Sequence, residues 1–147
     1  MGGMAMGRGQ TMKRLTISLV VFWVVCFTCA LAWAHIGDTK KECEERYGKP
    51  VNQVNDITVF TSGEFYVFVT FFDGEADSVG YTRQKDGAIT SSEIKSFLAA
   101  NGKEQVWIEG PGGKSWVTLD MKILAYYYNN KSLIIATASR IERKGKE

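Results

Sequence analysis

Residues 64–82 read EFYVFVTFFDGEADSVGYT, a run of aromatic and β-branched residues, then Asp73-Gly74, then a second β-favouring run. Asp-Gly between two such runs is the composition of a tight hairpin turn. Side chains alternate across a strand. Phe65, Val67, Val69 and Phe71 therefore share one face, and Tyr66, Phe68, Thr70 and Phe72 share the other. Both faces are apolar, so the sheet built on this hairpin has two surfaces to account for.

Strand-like runs continue outward in both directions. DITVFT (56–61) precedes the hairpin, and QVWIE, SWVTL, ILAYYY and SLIIATA come after it. Two helices interrupt them, each marked by its caps. In TKKECEERYG, Thr39 and Glu42 form a capping box, Gly48 and Pro50 stop the helix, and Cys43 and Tyr47 make its inward face. In AITSSEIKSFLAANG, Thr90 and Glu93 repeat the box and Ile89 and Ile94 stand as a hydrophobic staple. Gly102 closes that helix behind Ile94, Phe97 and Leu98. Helices this short do not persist alone in water and must dock on the sheet. The expected fold class is α+β: two short helices packed on one face of a meandering antiparallel sheet. The recurrence of the capping box at Thr39 and at Thr90 suggests two tandem helix-plus-meander units, 35–86 and 87–138.

Residues 1–34 read as a signal peptide. Arg8, Lys13 and Arg14 lead a stretch free of charge, Leu15 to Ala34, which ends on Ala32-Trp33-Ala34. The rival reading is an uncleaved membrane anchor, since about 20 apolar residues span a bilayer. Met12 is a second candidate start. The expected location is exported, periplasmic or secreted, with a membrane role only if the segment stays attached. Cleavage leaves residues 35–147, a single domain over 35–138 and then a charged, solvated tail at 139–147. The segment holds three of the 18 basic residues and none of the 16 acidic ones. Residues 35–147 therefore carry 15 basic against 16 acidic residues, a formal charge of −1. That balance lacks the basic footprint of a nucleic-acid partner. Two of the three cysteines lie in the segment, leaving Cys43 unpaired at a position where a helix wants a small hydrophobe.

IGDTKKECEERYGKP with VTFFDGEADSVGY behind it resembles the small bacterial envelope proteins of the SmpA/OmlA (BamE-like) kind. Gly37, Thr39, Gly48 and Pro50 match their helix motif, with Cys43 in place of an aliphatic residue, and Val69, Phe72, Asp73 and Gly74 approximate their hairpin. A tandem of such units resembles the β-lactamase-inhibitor protein fold. The resemblance implies protein binding without catalysis. A lipidation cysteine is missing, so it does not imply outer-membrane anchoring.

No constellation in the sequence supports an enzyme or a cofactor. His35 is the sole histidine. A Ser-His-Asp or Cys-His centre would need its base at the terminus of the domain, and an amino-terminal copper site would lack a second imidazole. GPGGKS (110–115) ends like a phosphate loop, but Ile108 occupies the first glycine position and a strand comes next, so it reads as a hairpin loop. Asp73, Glu75 and Asp77 read as solvated turn residues. No metal is expected.

The later strands place the candidate binding surface. A two-residue turn at Asn129-Asn130 sets Tyr126 opposite Leu133, and a short loop at Met121 sets Trp116 opposite Tyr126. That arithmetic gives one face of Val117, Leu119, Ile123, Ala125, Ile134 and Ala136, aliphatic apart from Tyr127 near the turn, to be buried under the helices. The other face holds Trp116, Thr118, Leu124, Tyr126, Tyr128, Leu133 and Ile135. Tyr66, Trp116, Tyr126 and Tyr128 are therefore the expected anchors for a protein partner or a second copy. The alternative is a carrier or sensor holding a small apolar ligand.

Overall fold

The computed structural model describes residues 35–102 and 104–146; the expected signal peptide lies outside them. In chain order the elements are α1 (Lys40–Tyr47), β1 (Asn52–Val54), β2 (Ile57–Ser62), β3 (Phe65–Phe72) and β4 (Glu75–Arg83). They continue with α2 (Ser91–Asn101), β5 (Trp107–Glu109), a 3-10 turn (Pro111–Gly113), β6 (Ser115–Thr118), β7 (Ile123–Tyr128), β8 (Ser132–Thr137) and α3 (Ala138–Lys144). These strands form one antiparallel sheet in the order β1-β2-β3-β4-β8-β7-β6-β5.

The expected α+β class with two helices is corrected by this architecture. The fold is mostly sheet, with 41% of the described residues in strands against 26% in helices. Among the described residues it has eight strands and three helices. The sequence hides the additional strand because β1 is three exposed residues at the sheet edge, Asn-Gln-Val, without an apolar face to declare it. It hides α3 because the basic residues there resemble a solvated tail. Thr137 in fact accepts the Arg140 N–H as an N-cap.

Both capping boxes form: the Thr39 hydroxyl accepts from the Glu42 amide, Thr90 accepts from Glu93, and each glutamate reaches back to its threonine amide. α1 and α2 cover one face of the sheet. Cys43, Ile94, Phe97 and Leu98 pack with Phe60, Val67, Val69, Val79, Tyr81, Leu133 and Ile135 in one core. Phe97 stacks on Tyr81 at 4.0 Å between centroids and meets Phe65 edge-on at 5.2 Å. β5 docks beneath α2 because Gly102 lacks a side chain. A Cβ there would lie 2.6 Å from Trp107 Nε1, which donates to the Leu98 carbonyl.

Two strand registers differ from expectation by one residue, and each slip exchanges the faces of a strand. Asn129 and Asn130 both adopt left-handed backbone, at φ 49° and 56°, but Tyr128 pairs with Ser132, which leaves Lys131 outside the ladder. Tyr126 therefore faces Ile134 and not Leu133; Leu133 and Ile135 are fully buried under the helices. On the other side of β7, Trp116 pairs with Ala125 and Ser115 with Tyr126. The helix-covered face is thus Trp116, Thr118, Ile123, Ala125, Tyr127, Leu133 and Ile135. The opposite face is Ser115, Val117, Leu124, Tyr126, Tyr128, Ile134 and Ala136.

His35 does not sit on a loose end. Ile36 is buried and donates its amide to Asn101 Oδ1 at 3.1 Å, while Asn101 donates to the Tyr81 hydroxyl and the Phe97 carbonyl. Asn101 itself is fully buried, so its amide is a hub of polar bonds inside the core. Tyr47 is its opposite: its hydroxyl is buried and has no hydrogen-bond partner among the described residues. Asn101→Ala is expected to cost about 3 kcal/mol, because it strands the buried Ile36 amide and removes a fully buried side chain that bonds three partners. Tyr47→Phe is expected to be neutral or to stabilise by up to about 1 kcal/mol, since it removes only an unpaired buried oxygen. Urea unfolding of both variants checks the contrast, and equal losses would refute it.

Candidate binding site on the open sheet face

The face opposite α1 and α2 carries a trough of about 790 Å³ that crosses the sheet from β2 to β5. Its centre is the cross-strand row Tyr126, Ile134, Gly80 and Phe68, read directly from the ladders. Beside it runs the row Val117, Leu124, Ala136 and Ser78, with Ile57 and Ile108 at the two ends of the trough. Gly80 gives the trough its depth. A Cβ at that position would meet Phe68 Cβ at 3.6 Å, an ordinary contact, so the dip is a missing side chain and not a steric necessity.

The sequence-predicted anchors separate. Tyr126 lines the trough, with its neighbour Tyr128 6.5 Å away between ring centroids. Tyr66 and Tyr128 belong to the next row, Tyr66, Thr82, Ser132 and Tyr128, at the border of the trough, and both are exposed. Trp116 is on the other side of the sheet: its partner is Ala125, and its ring packs against the helix-covered core. Trp116, Tyr81 and Ala125 also border the trough, and the strand alternation means that they do so through backbone.

One end of the trough is shaped by α3, whose Arg140, Ile141 and Lys144 lie on one helical face and line it. The anchor for α3 is Asp77. β4 bulges between Ala76 and Ser78 against Phe71 and Thr70, which leaves Asp77 outside the ladder. Asp77 is buried; it accepts from the Thr70 hydroxyl at 2.7 Å, from Arg140 Nη1 at 3.0 Å and from Arg143 Nη2 at 2.6 Å. The Arg143 guanidinium also lies over the Phe72 ring, 3.7 Å from its centroid, in a cation–π arrangement. Asp77 is therefore a structural ion-pair centre and not a solvated turn residue, and Arg140 and Arg143 are its partners and not part of a free tail. The sequence reading does not single out Gly80, Ile134 or the α3 stripe as a site. The spacing of Arg140, Ile141 and Lys144 behind a threonine cap is the signal that could have found the stripe.

The potentially reactive groups sit elsewhere. Burial pushes the Cys43 thiol up to about 12, reinforced by the nearby Asp38 carboxylate, so it is not a nucleophile at neutral pH. His35 lies against Arg46, Nδ1 to Nη1 at 2.9 Å, on the helix side. Among the described residues no three His, Cys, Asp or Glu side chains gather in a metal-holding group, and no helix is long and apolar enough to cross a membrane.

No protein family matches the chain, and no curated protein does. Among solved structures, a cysteine-rich secretory protein from Staphylococcus aureus is similar at 19% identity with a TM-score of 0.42, over 72% of this chain and 44% of that one. The chain thus spans less than half the length of that structure.

Asp77→Asn keeps the acceptor for Thr70 and removes the charge that holds two arginines. Trypsin is expected to cut after Arg140 or Arg143 at least about tenfold faster in the variant, because local opening of α3 becomes easier. The cleavage rate at these sites, read by mass spectrometry on the intact fold, is the check; an unchanged rate would remove Asp77 as the anchor.

Proposed function

We propose that the chain is an exported, non-enzymatic binding module whose open sheet face holds a small apolar ligand, in the manner of a carrier or sensor. The observation that carries this reading is the concave trough of about 790 Å³, floored by Gly80 and walled by Phe68, Leu124, Tyr126, Ile134 and Ile141. A volume of this size falls in the range of ligand pockets, which run from roughly 300 to 1,000 Å³. Each methylene moved from water into such a site contributes about 0.8 kcal/mol, before the cost of association. The export part of the reading rests on the sequence of residues 1–34, with its basic lead, uncharged stretch and Ala-Trp-Ala close.

A second reading, a protein partner or a second copy of the chain on the same face, has its own support. Tyr66 and Tyr128 are exposed beside the trough, and exposed tyrosines suit partner interfaces. The resemblance of residues 36–50 and 69–81 to small envelope proteins points the same way. The two readings separate on where binding is lost: a ligand depends on Gly80, a protein partner on Tyr66 and Tyr128.

The neutral fluorophore N-phenyl-1-naphthylamine tests the first reading. It is expected to bind with a rise in fluorescence. Gly80→Leu, which fills the trough floor, is expected to weaken binding at least about tenfold with little change in melting temperature. Equal binding by both proteins would defeat the ligand reading. In that case Tyr66→Ala with Tyr128→Ala, examined by crosslinking in host cells, decides the protein reading by the loss or survival of the attached partner.

A further inference from the structure

The proposed apolar trough has walls of unequal charge, and this unevenness bears on what it holds. Among the described residues the charged ones that border it are Arg140, Lys144 and Glu109. Both cations are on α3, at one end. Glu109 pairs with Trp116, so its side chain leaves the sheet on the helix-covered side. Its Oε1 lies 3.0 Å from where a Cβ of Gly113 would be. The carboxylate is thus directed at the connection between β5 and β6, away from the trough. The remaining polar groups there are hydroxyls, including the bonded pair Thr82 and Ser132, whose oxygens are 2.8 Å apart.

At the trough itself the charges of the α3 end do not cancel, because Glu142 of the same helix does not border it. Asp77 takes both Arg140 and Arg143, and Asp56 approaches Arg140 at 4.0 Å. Two carboxylates therefore face two guanidiniums, and Lys144 adds a further positive charge that makes no ion pair among the described residues. Lys144 stands one helical turn beyond Arg140 on the face that meets the trough. A long apolar surface with a single uncompensated cation at one end matches a long tail with a single anion at one end.

We propose that the ligand is a single-chain amphiphile with an anionic head, a long-chain carboxylate. Its chain lies in the trough over Gly80 and Ile134, and its carboxylate meets Lys144 at the rim, with Arg140 behind it. This rests on the reading of the trough as a ligand site and adds the ligand's class and polarity. Size limits the ligand to one chain. At roughly 30 Å³ per non-hydrogen atom, the share of a water in the liquid, the trough of about 790 Å³ takes roughly 25 such atoms, one acyl chain with its head and not two.

The test uses the full chain purified from its host and freed of bound lipid. Bound N-phenyl-1-naphthylamine is displaced by dodecanoate, dodecyltrimethylammonium or dodecyl maltoside, each below its micelle concentration. Dodecanoate is expected to displace the probe at least about tenfold more tightly than the cationic amphiphile, with the neutral one between them. The preference should shrink as salt rises from about 10 mM to about 500 mM, as an exposed charge contact does. Lys144→Glu is expected to reverse the order of the anionic and cationic amphiphiles. Equal displacement by all three, or an anion preference that survives Lys144→Glu, overturns the carboxylate proposal and leaves the apolar-ligand reading standing. Failure of the naphthylamine itself to bind overturns both.

Discussion

The five-residue pairing of β4 with β8, Ser78 to Ala136 through Thr82 to Ser132, joins two four-strand meanders into one sheet. Everything else depends on that seam and its register. With Val79 opposite Ile135 and Tyr81 opposite Leu133, the largest buried side chains of both halves line up on the helix side, where Phe97 closes over Tyr81. The same register sets Gly80 opposite Ile134 on the other side, so the deepest point of the trough lies on the seam. A slip of one residue would expose Leu133 and Ile135 and turn Ser132, Ile134 and Ala136 inward, two large apolar side chains exchanged for one. The core fixes the register, and the register builds the trough.

The open face comes from a shortage of cover. Eight strands at about 4.8 Å make a sheet roughly 38 Å wide, and two helices about 10 Å across span about half of that width on one side, with none left for the other. α3 has no buried residue and reaches only the end of the other side. The uncovered surface is nonetheless apolar, with Phe68, Leu124, Tyr126 and Ile134 where a solvated antiparallel sheet would alternate to polar residues. A continuous apolar patch of this kind on a protein surface marks an interaction site. The two sheet edges, by contrast, are three-residue strands, β1 and β5, which offer little backbone for another chain to extend.

Local signals are legible in the sequence and long-range ones are not. The helices are readable because a capping box is written in four consecutive letters, and Cys43 is readable as a packing residue because its neighbours fix its helical face. The faces of β3 can be assigned for the same reason, since alternation needs no partner. The sheet's pairing is another matter. Asn129-Asn130 has the composition of a two-residue turn, and both residues do take the left-handed conformation, but Lys131 is excluded from the ladder by the demands of the core on Leu133 and Ile135. The same one-residue ambiguity at Met121 moves Trp116 to the covered side, so the candidate site keeps Tyr126 at its centre and Tyr66 and Tyr128 at its border. α3 carries a local signal in its Thr137 cap, but what fixes it is not local, because its partner Asp77 stands more than 60 residues earlier in the chain.

Asp77 also explains why the trough has a polar end at all. A regular strand position would turn this carboxylate either into the apolar core or out over the trough, and neither place satisfies it. The bulge at Thr70 and Phe71 takes it out of the alternation and lets it meet Thr70, Arg140 and Arg143 together. Breaking such a pair on one side leaves an uncompensated charge, so α3 is held firmly while all three groups keep their charge. It is held by charge and not by burial, however, and its apolar contribution to the trough is Ile141 alone. The helix that supplies the cationic rim is therefore tied to the sheet by ion pairs and not by the hydrophobic core. Its position is set by a carboxylate that the core itself, through the register of β3 and β4, had to push aside.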